Sequence, residues 1–157
     1  MSKLSNEDIL KSVKDTQKHI DKVKYYIKKM IIDLGNRAET HDKSKMEHPE
    51  LAIFAEYGPK LKNVTYGSDK YFQYLKEMQV ALDYHYGENR HHPEHFEDGV
   101  KDMTLIDLIE MVADWKAASE RHNNGDIYKS IEFNQERFNY SDDLKIIFKN
   151  TVREYLK

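Results

Sequence analysis

The chain has no cysteine, only three prolines, six glycines and one tryptophan in 157 residues. Without cysteine there is no disulfide framework, no thiolate zinc site and no cysteine nucleophile. That composition fits a reducing compartment. No apolar run approaches the roughly 20 residues of a membrane span. The polar N-terminus offers no apolar stretch of the signal-peptide kind. A basic excess is missing too, since the formal net charge is -3, so no broad nucleic-acid-binding surface is expected. These absences lead to the expectation of a soluble, cytoplasmic protein with neither membrane nor nucleic acid as partner. The length suits one domain, residues 1–157, able to bury its own core.

The prolines (Pro49, Pro59, Pro93) and the glycines fall between periodic stretches, which favours helices. Ser5 followed by Asp8 reads as a capping box. Ile9, Val13, Ile20, Val23, Ile27, Met30 and Leu34 then recur at helical spacing. Gly35 is expected to interrupt this helix, with a short one following into His41-Asp42. Pro49 is expected to open a helix that Gly58-Pro59 stops, and residues 60–67 read as a loop. Ser68 caps a long helix carrying Tyr71, Phe72, Leu75, Met78, Leu82 and Tyr86. The stretch from Gly87 through Pro93 to Gly99 must leave the helix. Thr104 with Asp107 reads as a second capping box. The helix it opens is apolar on more than one face and therefore central, and Asn123-Asn124-Gly125 ends it. Two more helices follow, near residues 127–138 and 141–155. The expected fold is an all-α bundle of about six helices.

Against this background the metal-type side chains stand out. His41-Asp42 opens "HDKSK". His85 follows, then His91, His92 and His95 in "NRHHPEH", then Asp114 in "EMVADW". Imidazole and carboxylate bind borderline divalent metals. Here they lie on separate segments that folding can bring together. Asp114 sits on the apolar helix, and a carboxylate pointing inward needs a partner. His19 and His85 each fall at the edge of an apolar stripe. His48, His95 and His122 read as surface residues.

The ordered set resembles the HD-domain superfamily of metal-dependent phosphohydrolases. His41, Asp42 and Lys45 match the family's His-Asp-x-x-Lys string. Ser44 stands where glycine is usual, and no Gly-Tyr-Pro string follows the double histidine, which argues against a cyclic-dinucleotide phosphodiesterase. The resemblance covers about residues 15–118, leaving the helices of residues 127–157 outside the motif core. The strings "HDxSK", "HHPE" and "DW" also resemble a group of small uncharacterised bacterial and phage proteins.

The resemblance implies an all-helical HD-like domain with one or two divalent ions, Mn, Fe, Co, Ni, Mg or Zn. It makes His19 the first histidine and Asp114 the final aspartate. His41, His92 and Asp114 are expected ligands, and Asp42 is a bridging or central one. His19, His85 and His91 are either ligands of a second ion or general acids. Lys45 is expected to contact substrate phosphate as a point charge, and Asp15 to orient His19. The implied activity is hydrolysis of a small, nucleotide-type phosphate ester. Two alternatives stay open, a di-iron oxygenase of the HD type and a non-catalytic, metal-stabilised module that binds a nucleotide or a protein.

Overall fold

A computed structural model describes residues 5–65, 68–121 and 125–157. It is all-α. The described residues form seven α-helices, α1 (Asn6–Thr40), α2 (Glu50–Lys62), α3 (Asp69–Glu77), α4 (Gln79–Glu88), α5 (Leu105–Ser119), α6 (Ile127–Phe138) and α7 (Asp142–Tyr155). Three short 3-10 turns lie between them, at Lys43–Met46, Pro93–His95 and Gly99–Asp102. The chain divides into two units, Met1–Glu39 and Thr40–Lys157.

The first unit is the body of α1. Its start is the expected capping box. Ser5 Oγ accepts from the Asp8 amide at 3.1 Å, and the Asp8 carboxylate accepts from the Ser5 amide at 3.3 Å. No side chain of α1 is buried. Contrary to the expected break, α1 runs straight through Gly35. Glycine inside a helix costs about 1 kcal/mol relative to alanine through backbone entropy, too little to stop a helix with about eight turns before it and more than one after it. A Cβ at residue 35 would meet nothing within 4 Å. Gly35→Ala is therefore expected to stabilise α1 by about 0.5–1 kcal/mol, read as slower amide exchange in the turns around residue 35. Faster exchange there would show that the glycine is needed.

In the second unit, two more helix breaks expected from the sequence fall elsewhere. Gly58-Pro59 does not end α2, which continues to Lys62. Proline removes the amide that would reach Ala55, but Ala55 and Pro59 are both exposed, so water can serve that carbonyl. The loop accordingly starts at Asn63 rather than Lys60. The single long helix expected after Ser68 is two helices, α3 and α4, which meet at Met78. Ser68 does cap α3, accepting from the Tyr71 amide at 3.2 Å. The bend puts Met78 inside, at 1% exposure, and turns Ala81 and His85 of α4 inward with it. Tyr66 and Gly67 of the expected loop lie outside the described residues, as do His122, Asn123 and Asn124.

The main core is built by the last three helices. Met111 and Val112 of α5 pack with Ile127 and Ile131 of α6, Tyr140, and Phe148 and Val152 of α7. Trp115 completes it, with its ring edge-on to Phe148 at 5.9 Å. Burial of this apolar surface is the main source of stability here, about 25 cal/mol per Å² removed from water. Tyr140 is held by its hydroxyl, which donates to the Ile131 carbonyl at 2.5 Å. The α6 and α7 helices begin and end within a residue of the expected positions. Leu105, the first residue of α5, is 73% exposed.

The histidine-rich connection between α4 and α5 is held by two ionic contacts. Asp107 is fully buried and serves twice. It completes the capping box with Thr104, whose Oγ1 accepts from the Asp107 amide while Asp107 Oδ2 accepts from the Thr104 amide at 2.8 Å. It also takes a two-pronged contact from Arg90, at 3.2 and 3.1 Å. Arg90 directly precedes His91, so this clamp on the start of α5 sets where the double histidine enters. Arg137 of α6 pairs with Glu94 further on, at 2.5 Å.

Candidate metal centre

Within the second unit, folding gathers residues that are more than 70 positions apart in the chain. His41-Asp42 follows the last residue of α1. Asp42 has a left-handed backbone (φ 55, ψ 16) as it leads into the 3-10 turn Lys43–Met46. Aspartate is among the few non-glycine residues that enter this region readily, and such outliers collect at functional sites. His85 comes from α4, His91 and His92 from the connection, and Glu110 and Asp114 from successive turns of α5.

These residues form three overlapping groups in which one ligand atom from each lies within 4.8 Å of the others: Asp42 with His85, His91 and His92; His41 with Asp42 and Asp114; and His41 with His91 and Glu110. Asp42 is shared by the first two. Its Oδ1 faces His85 Nε2 at 3.3 Å and His91 Nε2 at 3.5 Å. Its Oδ2 faces His41 Nε2 at 3.6 Å and Lys45 Nζ at 2.6 Å. His41 Nε2 also faces Asp114 Oδ1 at 3.7 Å. His85 Nε2 and His92 Nε2 approach to 2.9 Å.

Whether these atoms fit an ion can be tested on spacing and on hydrogen bonding. Donors bound to one ion at about 2.1 Å stand roughly 3.0–3.4 Å apart for octahedral or tetrahedral geometry. The contacts of Asp42 with His85 and His91, and of His85 with His92, lie close to that range, and those around His41 are slightly wider. Asp42 Oδ1 and His91 Nε2 are buried, face each other and have no hydrogen-bond partner. Buried polar atoms are rarely left so, and a cation between them would satisfy both.

A second ring of side chains sets how the imidazoles present themselves. His41 Nδ1 is hydrogen-bonded to Glu110 Oε1 at 2.9 Å. His91 Nδ1 lies 3.2 Å from the same oxygen. His85 Nδ1 lies 2.9 Å from Oε2 of Glu50, the first residue of α2, which is wholly buried. At His41 the Glu110 carboxylate keeps a proton on Nδ1 and leaves Nε2 toward the metal position, whereas His85 Nδ1 also meets the Asn89 amide nitrogen at 2.9 Å. Ser44 and Asn89 brace His85 from the side. Asn89 donates to Ser44 Oγ at 2.8 Å, and Ser44 Oγ lies 3.4 Å from His85 Nδ1.

Charge in the site follows from these contacts. Burial alone would raise the Asp42 carboxyl, but His85, Lys45 and His41 hold it well below the usual carboxylate range. Asp114 is likewise lowered against the effect of burial, through His41 and His91. The carboxylates of Asp114 and Glu110 push His41 up to about 10. His92 is driven down to about 3, by burial first and then by His91 and His85. At neutral pH the site offers ionised carboxylates and a neutral His92, and a cation has to displace a proton from His41.

Of the residues singled out in the sequence, His41, Asp42, His85, His91, His92 and Asp114 come together here. Lys45 stands at the edge, paired with Asp42 and 5.3 Å over the Phe54 ring. His19 is exposed on α1 and belongs to none of the three groups. Asp15, expected to orient it, pairs with Lys18 at 3.0 Å. His48 is exposed as expected. His95 is half-buried instead, its Nδ1 donating to the Tyr86 carbonyl at 3.1 Å. Glu110 and Glu50 were not singled out. Glu110 carries a signal, since it lies four residues before Asp114 on the same helical face. Glu50 carries none, because an acid at the start of a helix reads as an ordinary surface residue.

In comparison with known proteins, the family of unknown function DUF5662 matches residues 8–157. No curated protein and no solved structure matches the chain. The link to the HD-domain superfamily rests on the ordered ligand residues alone.

Proposed function

The chain belongs to the DUF5662 family of unknown function, and from the chemistry of its own residues we propose that it is a metal-dependent phosphohydrolase. The substrate is a small, nucleotide-type phosphate ester. The observation that carries the metal reading is the pair of buried, unpartnered atoms, Asp42 Oδ1 and His91 Nε2, that face each other among further imidazoles. The phosphate ester follows from the resemblance and from the chemistry the chain lacks and has. It holds no cysteine, while a cation, Lys45, sits beside the site.

Asp42, His85, His91 and His92 would hold one ion, and His41, Asp42 and Asp114 would hold a second, with Asp42 common to both groups. The borderline divalent ions suit the imidazole-rich position, and harder ions the carboxylate-rich one. When bound, such ions acidify water and offset the charge that builds on a transferring phosphoryl group. The protein's own part is largely positioning, which is what phosphoryl transfer asks of an enzyme. Glu110 holds the His41 imidazole in place through Nδ1, and the Arg90–Asp107 clamp fixes the double histidine. Lys45 places an ammonium where a substrate phosphate oxygen would sit beside Asp42. His91, expected as either a second-ion ligand or a general acid, is read here as a ligand because its Nε2 is buried against Asp42.

Elemental analysis of protein purified without chelator, followed by a panel of nucleotide and sugar phosphates with Mn, Co, Mg, Ni and Fe, tests this reading. Phosphate release that needs metal and stops on chelation is the expected result. Metal binding with no ester cleaved would favour the binding module, and a product that requires oxygen would favour the oxygenase. In the active protein, Lys45→Ala is expected to lower kcat/KM roughly 10- to 100-fold, about 1.4–2.7 kcal/mol, with metal content unchanged. Loss of metal in that variant would make Lys45 a structural partner of Asp42 instead.

A further inference from the structure

One carboxylate oxygen in the centre serves two imidazoles at once. Glu110 Oε1 is 2.9 Å from His41 Nδ1 and 3.2 Å from His91 Nδ1. The two rings lie side by side, 4.4 Å between centroids and tilted by 43°. They belong to different ion positions, His41 to the group with Asp42 and Asp114, and His91 to the group with Asp42, His85 and His92. We propose that Glu110 is a positioning residue that couples the two ion positions, by holding one imidazole of each on a single carboxylate oxygen. This rests on the two-ion reading above.

The physical argument concerns tautomers. A neutral imidazole donates from one nitrogen and accepts at the other. With Glu110 accepting at Nδ1, the Nε2 atoms of His41 and His91 both face the Asp42 carboxylate, and that of His41 gives up its proton when an ion enters. An ion that binds one imidazole withdraws charge from the ring and makes its Nδ1–H a stronger donor. That strengthens its bond to Glu110 and fixes the oxygen in the place the other imidazole needs. The first ion thereby organises the second position without touching it. His85 has its own acid, Glu50, on a different helix, so the imidazole-rich position is not wholly dependent on Glu110.

Two measurements decide the matter. Titration of the metal-free full chain with Co²⁺, followed by calorimetry and by the visible absorption of the bound ion, is expected to show two ions entering cooperatively. In Glu110→Gln, which keeps the shape and removes the charge, both ions are expected to bind roughly 10- to 100-fold more weakly and independently of each other. The metal-free variant should melt within a few degrees of the metal-free wild type, which a merely structural role would not predict. Equal affinity in wild type and variant, or weakening at one position only, overturns the proposal and leaves the two-ion reading standing. A wild type that takes up no Co²⁺ overturns both. The second measurement needs no variant. Long-range nitrogen–proton NMR of the Zn²⁺-loaded wild type should show both His41 and His91 protonated at Nδ1. Either ring protonated at Nε2 overturns the proposal.

Discussion

Asp42→Asn is expected to strip the protein of both ions and of its activity in one step, while the helical content stays unchanged. Asparagine has the same shape but one carbonyl oxygen in place of two carboxylate oxygens. Asp42 faces His85 and His91 with Oδ1 and His41 with Oδ2. The amide would therefore turn an N–H donor toward one position and offer a neutral oxygen to the other. The loss should exceed the roughly 10- to 100-fold that changes beyond the ligands typically cost. His85→Ala gives the contrast, because it removes a donor from one group only and should leave the His41 position able to bind an ion, though more weakly. Elemental analysis after dialysis, with far-ultraviolet circular dichroism as the control for folding, reads both variants. Full metal stoichiometry in Asp42→Asn would sink the assignment of Asp42 as the shared ligand.

The second large effect is on stability. Chelation is expected to lower the melting temperature by roughly 10–20 °C. An ion present at a thousand times its Kd stabilises the folded state by about 4 kcal/mol. For a domain of this size each kcal/mol moves the midpoint by roughly 2–5 °C. Without an ion, Asp42 Oδ1 and His91 Nε2 remain buried and unpartnered, and each such group costs about 1–3 kcal/mol. The sign of the pH dependence follows from His41. Its carboxylate neighbours hold it protonated up to about 10, so metal must displace that proton. Metal-conferred stability should therefore grow as pH rises from 6 to 9 and shrink in acid. A melting temperature indifferent to chelator across that range would mean that the cluster binds no metal.

What could be read from the sequence, and what could not, divides along the range of the forces involved. Caps are local, and Ser5, Ser68 and Thr104 all cap helices where they were expected, because a hydroxyl and an amide three residues on are enough to define them. Breaks are less local. Gly35 and Pro59 carry helix-breaking costs of a size that neighbouring turns can absorb, and both helices run through them. The bend at Met78 has no punctuating residue, and its reason lies in burial, which is a property of the whole second unit. The same division holds in the metal centre. Residues with metal chemistry were visible as types in order along the chain. The acids behind the imidazoles were not, since Glu50 and Glu110 acquire their role only when α2 and α5 deliver them to an Nδ1. The clamp between Arg90 and Asp107 was half visible, as a cap, with its second partner 17 positions away.

The left-handed backbone of Asp42 limits which residues this position can accept. Backbone geometry there admits glycine, asparagine and aspartate with little penalty, and turns away branched side chains. Ligand chemistry admits aspartate and glutamate. Only aspartate satisfies both requirements, so a library of all substitutions at position 42 should yield folded, inactive proteins from one set and poorly folded ones from another. Position 41 has no such double restriction, because its backbone conformation is not unusual. Random mutagenesis should therefore find position 42 the less forgiving half of the His-Asp pair.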